Sequence, residues 1–159
     1  MVSLYQPLPG EWPHILRTQR FRDFRVADDA LPTRALLEQY LLGVSDSPLS
    51  YRYGVPFLIV LESTGTVVGN IGGKGLTSGD SEVELGYQTA RPYRNQGIMT
   101  GAIEKMQELA RGDRIALLAH IEPENEASRR VLKKCAFQLE ALVRLPASLD
   151  LERWSWSPD

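Results

Sequence analysis

A strand, a glycine-containing loop, a helix and a second strand follow one another in the middle of the chain, and this order restricts the fold more than any other part of the sequence. In "SEVELGYQT" apolar side chains alternate with Glu82 and Glu84, which is typical of a strand with one buried face. Apolar spacing predicts a helix over Ile98–Arg111, and "RIALLAHIE" is typical of a strand covered on both faces. The segment is therefore predicted as a βαβ unit, and ligands of such sheets collect at the carboxyl end of the strands.

The flanking sequence predicts further helices and strands. Two helical patterns come first, Thr18–Phe24 and Asp28–Leu42. Asp28 or Asp29 is the expected cap of the second, and Gly43–Gly54 is expected to be a mobile connector. Strands are predicted at Pro56–Glu62 and Val67–Gly73, a helix at residues 124–136, and strands at residues 137–145 and 149–157. The order is helix, helix, three antiparallel strands, helix, strand, helix and two strands, as in a mixed α+β domain.

Length, charge and cysteine content exclude several classes of protein. With 159 residues the chain is long enough for one domain with a proper core. Its formal charge of −2 argues against a nucleic-acid binder that neutralises phosphates along its surface. One cysteine excludes an internal disulfide and a cysteine-based metal site. No metal is expected among the site residues. Without a signal pattern or an apolar run of membrane-spanning length, we expect one cytoplasmic domain over residues 1–159 and no membrane partner.

The loop "RPYRNQG" before the central helix has the composition of an anion site. The first-turn N–H groups of Ile98, Met99 and Thr100 would face a negative group. Arg94 would add a positive charge, and Gly97 would let the backbone approach the ligand. The Walker pattern and the Gly-x-Gly-x-x-Gly pattern are both absent from the sequence. A tight turn between strand and helix would explain the loop equally well, so both interpretations stay open at this point.

Two longer motifs occur in a fixed order along residues 82–137. The first is "ELGYQTARPYRNQGIMTGAI" and the second is "HIEPENEASRRVLKKCAF". Together they resemble the GNAT superfamily of N-acetyltransferases, with the strongest likeness to the Rim-type branch that includes ribosomal-protein N-terminal acetyltransferases. The resemblance implies acetyl-CoA as cofactor. It also implies a GNAT-like fold, with a central, mostly antiparallel, twisted sheet, a βαβ cofactor unit and about four helices.

The resemblance assigns roles to single residues. Arg94 to Met99 correspond to the loop whose N–H groups hold the pyrophosphate of coenzyme A, with Thr100 at the next amide. The backbone of the first strand would pair with the pantetheine arm as an added strand does, and Gly86 is the expected position of the bulge that the family carries in this strand. The cofactor-binding residues that the resemblance implies are Tyr87, Gln88, Thr89, Arg94, Asn95, Gln96, Gly97, Ile98, Met99, Thr100 and Asn125.

The sequence departs from the family pattern at two positions. Met99 stands where glycine or alanine is usual, so its side chain must point away from the phosphates. Ala136 replaces the glycine that commonly ends the last helix, which is costly if that residue is left-handed.

Acetyl transfer to an amine needs a group that removes a proton, stabilisation of the carbonyl oxygen, and a donor for the leaving thiolate. Glu84 is the candidate base, acting through water, and Glu82 lies on the same face of the strand. A solvated face with two ordinary surface charges is the alternative. Ser128 lies where the branch often has a hydroxyl near the thiol, and its alternative role is a first-turn residue of a helix capped by Asn125.

Several other residues have two interpretations each. Tyr87 and Asn70 are candidates for contacting the acceptor, although packing and a strand bulge would also explain them. Cys135 shares a helical face with apolar residues, which favours a packing thiol over a covalent intermediate. A hydrogen-bonded structural role is favoured for His120. Trp154 and Trp156 share a strand face, where core packing is favoured over an acceptor pocket or a dimer contact.

The function predicted from the sequence is an N-acetyltransferase that uses acetyl-CoA and direct attack by an amine. The acceptor would be a protein N-terminus or a small-molecule amine, and a homodimer is one possible assembly. A catalytically weak acyl-CoA-binding regulatory domain is the alternative. Two features favour it: Met99 departs from the family pattern, and the sequence contains no unambiguous catalytic base.

Overall fold

The computed structural model describes residues 1–76, 79, 81–144 and 150–159. The described strands are β1 (Val2–Tyr5), β2 (Arg20–Phe21), β3 (Phe24–Val26), β4 (Phe57–Leu61), β5 (Thr66–Leu76), β6 (Glu82–Thr89), β7 (Ala116–Ile121), β8 (Gln138–Arg144) and β9 (Asp150–Trp156). The described helices are α1 (Trp12–Thr18), α2 (Arg34–Leu42), α3 (Pro48–Gly54), α4 (Ile98–Asp113) and α5 (Glu126–Lys134), with short 3-10 turns at Pro9–Glu11 and Arg91–Tyr93. Among these elements we find no helix with both the length and the apolar character that crossing a membrane requires.

The strands form one sheet in the order β1-β4-β5-β6-β7-β9-β8, and the β2–β3 hairpin is attached to it through β3 and β5. Neighbouring strands are antiparallel except for the pairs β6–β7 and β3–β5, which are parallel. The strand β9 lies between β7 and β8 and pairs antiparallel with both. The predicted α+β class, with a mostly antiparallel sheet around a βαβ unit, is confirmed.

Helices cover the sheet on both faces and enclose two cores. Ile103 and Met106 of α4 pack with Leu132 of α5 against the inward side chains of β6, β7 and β9. On the other face Trp12 and Leu37 of α1 and α2 pack with β4 and β5. Burying an apolar side chain of this size stabilises the fold by about 1.5–3 kcal/mol, so both layers hold the central strands in place.

The two tryptophans of β9 belong to the first of these cores. Trp154 is 2% and Trp156 is 8% exposed, and both pack with α4 and α5. The prediction of core packing is confirmed, and the alternatives of an acceptor pocket or a dimer contact built on these two rings are wrong.

The parallel strands β6 and β7 diverge at their carboxyl ends. They pair from Glu82 with Ala116 to Glu84 with Leu118. From Leu85 onward, no described residue of β7 continues the ladder with β6. We call this opening the fork. It lies at the carboxyl end of the βαβ unit, where α4 also begins.

The bulge predicted at Gly86 is not found there. Gly86 lies in regular register opposite Gly72 of β5, and the register shift falls between Gly73 and Leu76 of β5. The extra residue is accommodated by Gly75, whose φ of 98° is open to glycine and strained for other residues. The prediction is wrong in position, although β6 does separate from β7 beyond Glu84.

The predictions for the first 55 residues are largely wrong. Thr18–Phe24 forms the end of α1 and the β2–β3 hairpin, because Gln19 is left-handed (φ 55°) and ends the helix. The second helix begins at Arg34, and its cap is Thr33, whose Oγ1 accepts a hydrogen bond from Leu36 N at 3.2 Å. Pro32 disfavours a helical conformation at the residue before it, which explains the late start.

The predicted connector Gly43–Gly54 contains α3, and β1 was not predicted at all. Tyr53 of α3 is completely buried, and its hydroxyl donates to Asp113 at the end of α4. The remaining elements match the predictions within a few residues, except that β5 extends to Leu76. Residues 145 and 149, which were predicted as strand, lie outside the described residues.

Candidate active site

The start of α4 forms a backbone cradle at the mouth of the fork. Asn95 and Gly97 are both left-handed, with φ of 61° and 77°, which turns the chain sharply into the helix. Gly101 N donates to Gly97 O, so the N–H groups of the three preceding residues lie ahead of the helical ladder. Within the described chain, no side chain caps this helix start. The cradle therefore offers free N–H donors and the positive end of the helix dipole, as an anion site requires.

A cavity of about 610 Å³ extends from this cradle along β6 to the start of α5. Arg94 donates from Nε to Thr89 O at 3.0 Å, which ties the loop to the end of β6. All of the predicted cofactor-binding residues line the cavity except Gln96, whose side chain donates to Pro92 O at 3.0 Å. Residues that the sequence did not single out also line it, namely Tyr93, Ala127, Arg130, Val131 and Lys134. Four of these lie on one face of α5, at the spacing of a helix. This spacing could have identified them from the sequence, once Ser128 was assigned to the same helix.

Hydroxyl groups gather at the inner end of this cavity. Asn125 caps α5 by accepting a hydrogen bond from Ser128 N at 3.1 Å, so the predicted capping role is real, and its side chain also lines the cavity. The buried hydroxyl of Tyr87 finds no hydrogen-bond partner among the described residues. Burial raises the pKa of Tyr87, and the neighbouring Ser128 offsets part of that rise without reaching hydrogen-bond geometry. A buried hydroxyl without a partner is costly, so this end of the cavity is suited to a polar ligand group.

A second cavity of about 470 Å³ lies between α2 and the central strands. It shares Tyr87 and Gln88 with the first cavity. Asn70 lines it and donates from Nδ2 to Ala30 O at 2.8 Å, while Gln88 donates to Asp29 O at 2.6 Å. The two cavities therefore meet at β6, and the predicted acceptor residues Asn70 and Tyr87 both belong to the second one.

The two predicted catalytic carboxylates lie on one face of β6, beside the second cavity and outside both linings. Oε2 of Glu84 lies 2.6 Å from Lys74 Nζ, and its Oε1 lies 3.2 Å from His120 Nδ1. Glu82 is 3.5 Å from Arg153 of β9. The predicted common face is confirmed, and both side chains are only partly exposed, which differs from the alternative of an ordinary solvated face.

His120 has the hydrogen-bonded environment that the sequence predicted, but its partner is a candidate catalytic residue. No local sequence pattern predicts this contact, because it depends on the parallel register of β6 and β7. Leu118 is opposite Glu84, and His120, two residues further on, points to the same face.

Cys135 is a packing residue. It is 4% exposed and its Sγ lies 3.7 Å from Thr100 O. Burial raises the pKa of Cys135 to about 11, so the thiolate needed for nucleophilic attack is scarce near neutral pH. The described residues contain no group of three or more side chains that could hold a metal ion.

A sheet that opens beside a helix start, with an anion cradle and a second cavity across the strand, has its ligand sites at the carboxyl end of the strands, as open α/β sheets do. Residues 12–138 match the family model described as the acetyltransferase (GNAT) domain, and the chain belongs to this family.

Individual relatives agree with this assignment. The "Uncharacterized N-acetyltransferase p20" of Bacillus licheniformis is 29% identical over 92 residues, which cover 55% of this chain and 51% of that protein. The chain thus spans about half the length of this curated relative.

Among solved structures, RimL, a ribosomal L7/L12 alpha-N-protein acetyltransferase, superimposes with a TM-score of 0.70 at 17% identity over 99% of this chain and 94% of that one. Mycobacterium smegmatis RimJ in complex with CoA-disulfide gives a TM-score of 0.57 at 26% identity over 65% of this chain and 52% of that one. The family uses acetyl-CoA, and Rim-type enzymes are among its structural neighbours.

Proposed function

We propose that the chain is an acetyl-CoA-dependent N-acetyltransferase in which an acceptor amine attacks the acetyl group directly. The observation that carries the proposal is that two cavities meet at Tyr87 and Gln88 of β6. One contains an anion cradle and lies along the fork, and the other reaches the same strand from the opposite side. Donor and acceptor can therefore bind together, as direct transfer requires.

The residues of the first cavity fit coenzyme A. The amides from Gln96 to Thr100 suit a diphosphate, and the fork leaves the backbone of residues 87–89 available for an added strand, which suits a pantetheine arm. Arg130 and Lys134 on α5 contribute positive charge to the same cavity. When bound, acetyl-CoA supplies the acetyl group as a reactive thioester. Met99 packs with the core, so its long side chain is compatible with this cradle.

Different side chains are proposed to act on the thiol and on the amine where the two cavities meet. Ser128 and the Tyr87 hydroxyl are the donors at the inner end of the first cavity, where negative charge develops on sulfur. Glu84 is proposed to take part in removing the proton of the acceptor amine. Glu82, 3.5 Å from Arg153, is proposed to add negative charge that attracts a cation.

The acceptor is proposed to be a protein N-terminus, with a small-molecule amine as the second option. The likeness to RimL over 99% of the chain supports an N-terminal amine, because that neighbour is an alpha-N-protein acetyltransferase. A cytoplasmic location is proposed from the single cysteine, which is free and buried.

An acceptor screen tests the function. The purified protein is incubated with acetyl-CoA and a panel of N-terminal peptides, amino acids and polyamines, and free thiol release is followed. We expect release with at least one amine class. Arg94→Ala should weaken acetyl-CoA binding about tenfold in calorimetry, whereas Arg91→Ala, which changes an exposed arginine outside the cavity, should not. Equal binding by both variants would contradict the placement of the coenzyme.

One observation favours a second function, that of a regulatory domain that binds acyl-CoA without turnover. Both oxygens of Glu84 are already engaged, by Lys74 and by His120, so this carboxylate is not free to act as a base by itself. Binding of acetyl-CoA without thiol release across the whole panel would establish this alternative.

A further inference from the structure

We infer that His120, oriented by Glu84, is the residue that accepts the proton of the acceptor amine. The inference rests on the proposed function and names the group that performs one of its steps. It changes the role of Glu84 from a base that acts through water to a positioning residue.

Both carboxylate oxygens of Glu84 are in contact with basic side chains. Its Oε2 faces Lys74 Nζ at 2.6 Å and its Oε1 faces His120 Nδ1 at 3.2 Å. A carboxylate with a cation on one oxygen and an imidazole on the other has both oxygens engaged before an acceptor amine arrives. The same carboxylate is a good acceptor for an imidazole N–H, and such a contact fixes both the tautomer and the orientation of a histidine ring.

The other ring nitrogen of His120, Nε2, is the atom that can take up a proton. If Nδ1–H donates to Glu84, the neutral ring carries its lone pair on Nε2. Nε2 has no hydrogen-bond partner among the described residues, and the His120 side chain is 20% exposed. A ring that is held at one nitrogen and open at the other is the arrangement of a general base.

His120 lies next to the fork, on the side of the sheet that faces the second cavity. Glu84 is the last residue of β6 that pairs with β7, so His120, two residues beyond Leu118, lies just inside the fork. Glu84 shares its strand face with Gly86, and a Cβ placed on Gly86 would meet Lys74 Cε at 3.3 Å and Tyr40 Oη at 3.9 Å. Lys74, Tyr40 and Gly86 line the second cavity, so His120 lies on the acceptor side of the sheet.

The proton and electron balance is complete with this assignment. One proton passes from the acceptor ammonium to His120 Nε2 and then to solvent. The freed nitrogen pair forms the C–N bond as the C–S bond breaks, and the electron pair of that bond stays on sulfur. The second amine proton ends on sulfur, so the sum is ammonium plus thioester to amide, thiol and one proton.

The charged groups around the ring all come from the sheet. Glu84 lies on β6 with Lys74 next to it on β5, and Arg153 of β9 is in register with His120. Glu82 and Glu140 both contact Arg153, and Tyr40 of α2 lies close to Lys74. This set contains three carboxylates, two cations and one phenol, so the imidazole ring is surrounded by charges of both signs.

The first experiment measures the tautomer without any turnover. Nitrogen-15 NMR of the neutral rings should show His120 protonated at Nδ1, with Nε2 unprotonated. Glu84→Ala should remove this preference. His14, which is exposed and lies 3.5 Å from Arg17, is the internal control. A neutral His120 ring with its proton on Nε2 in the wild-type protein would overturn the inference.

The second experiment uses His120→Asn, whose side-chain amide can replace Nδ1–H opposite Glu84 but has no base at the position of Nε2. We expect kcat to fall about 100-fold or more, and the pH–rate profile to lose its acidic limb, in which activity rises with pH as the base becomes free to accept a proton. The dissociation constant for acetyl-CoA should change less than about twofold, and His14→Asn should match wild type.

The two levels of the proposal fail in different ways. A wild-type protein that binds acetyl-CoA and acetylates no amine removes the proposed function, and the inference with it. An active wild-type protein whose His120→Asn variant keeps its kcat and its acidic limb removes the inference alone.

Discussion

Ala136→Gly is expected to stabilise the protein, because the helix α5 ends in a left-handed alanine. Phe137 N donates to Leu132 O at 2.9 Å and Ala136 N donates to Lys133 O at 3.1 Å, which is the hydrogen-bond pair of a Schellman motif. Leu132 and Phe137 belong to the same core cluster, so the motif also has its apolar contact. Its left-handed position is Ala136, with φ of 63°.

The size of the effect follows from two opposing terms. A Cβ in the left-handed region costs about 1–2 kcal/mol. Glycine removes this cost but loses about 0.5–1 kcal/mol more conformational entropy on folding. The net gain is about 0.5–1 kcal/mol, or about 1–4 °C in Tm for a chain of this length. Ala136 is exposed and lies outside both cavity linings, so activity should not change.

Urea unfolding followed by circular dichroism is the assay, with equal m-values for the two proteins as the condition for comparing free energies. Ala35→Gly is the matched control, because Ala35 is exposed in the first turn of α2, where glycine should cost up to about 1 kcal/mol. If Ala136→Gly lowers the free energy of unfolding as Ala35→Gly does, the left-handed geometry at Ala136 is refuted.

Three further predictions concern the core and the site. Burial acts to raise the pKa of Asp113, but hydrogen bonds from Tyr53 and Arg52 outweigh it and hold the pKa below its ordinary value, so this stability is present above about pH 4 and is lost as pH falls through the folded-state pKa. Asp113→Asn should therefore lower Tm at pH 7 and reduce the drop between pH 5 and pH 3 in thermal scans. Asn125→Asp should keep the cap and the Tm but weaken acetyl-CoA binding in calorimetry, whereas Asn125→Ala should weaken binding and also lose about 1 kcal/mol of stability. Wild-type binding by Asn125→Asp would assign Asn125 to capping alone. Tyr87→Phe should leave Tm equal or higher, because it removes an unpaired buried hydroxyl, and should reduce the rate of thiol release; unchanged turnover would contradict a role at sulfur.

The central part of the fold was predictable because each of its elements carries its own local signal. β6 alternates apolar and charged residues, and α4 follows a glycine that must be left-handed. The N-terminal part carries weaker signals. Its hairpin has strands of two and three residues, too short for a periodicity to show, and it is held in place by aromatic contacts such as Tyr5 with Phe24. Such contacts depend on tertiary packing and leave no local pattern.

The candidate site divides in the same way. The cradle is a continuous stretch of chain, so residues from Arg94 to Thr100 could be identified directly. The contacts of Glu84 join three strands, and Lys74 and His120 are separated by 46 positions in sequence. Their meeting depends on strand order and register, which the sequence pattern alone does not specify.

The fork has a mechanical consequence for the domain. Three residue pairs, from Glu82 with Ala116 to Glu84 with Leu118, make up the described ladder between the two halves of the sheet, and α4 spans the gap above them. The two halves of the sheet are therefore joined by a short ladder, and a molecule bound along β6 would add contacts that hold them together. Binding of the coenzyme should then slow amide hydrogen exchange in both halves of the sheet, including at strand amides that the coenzyme does not contact.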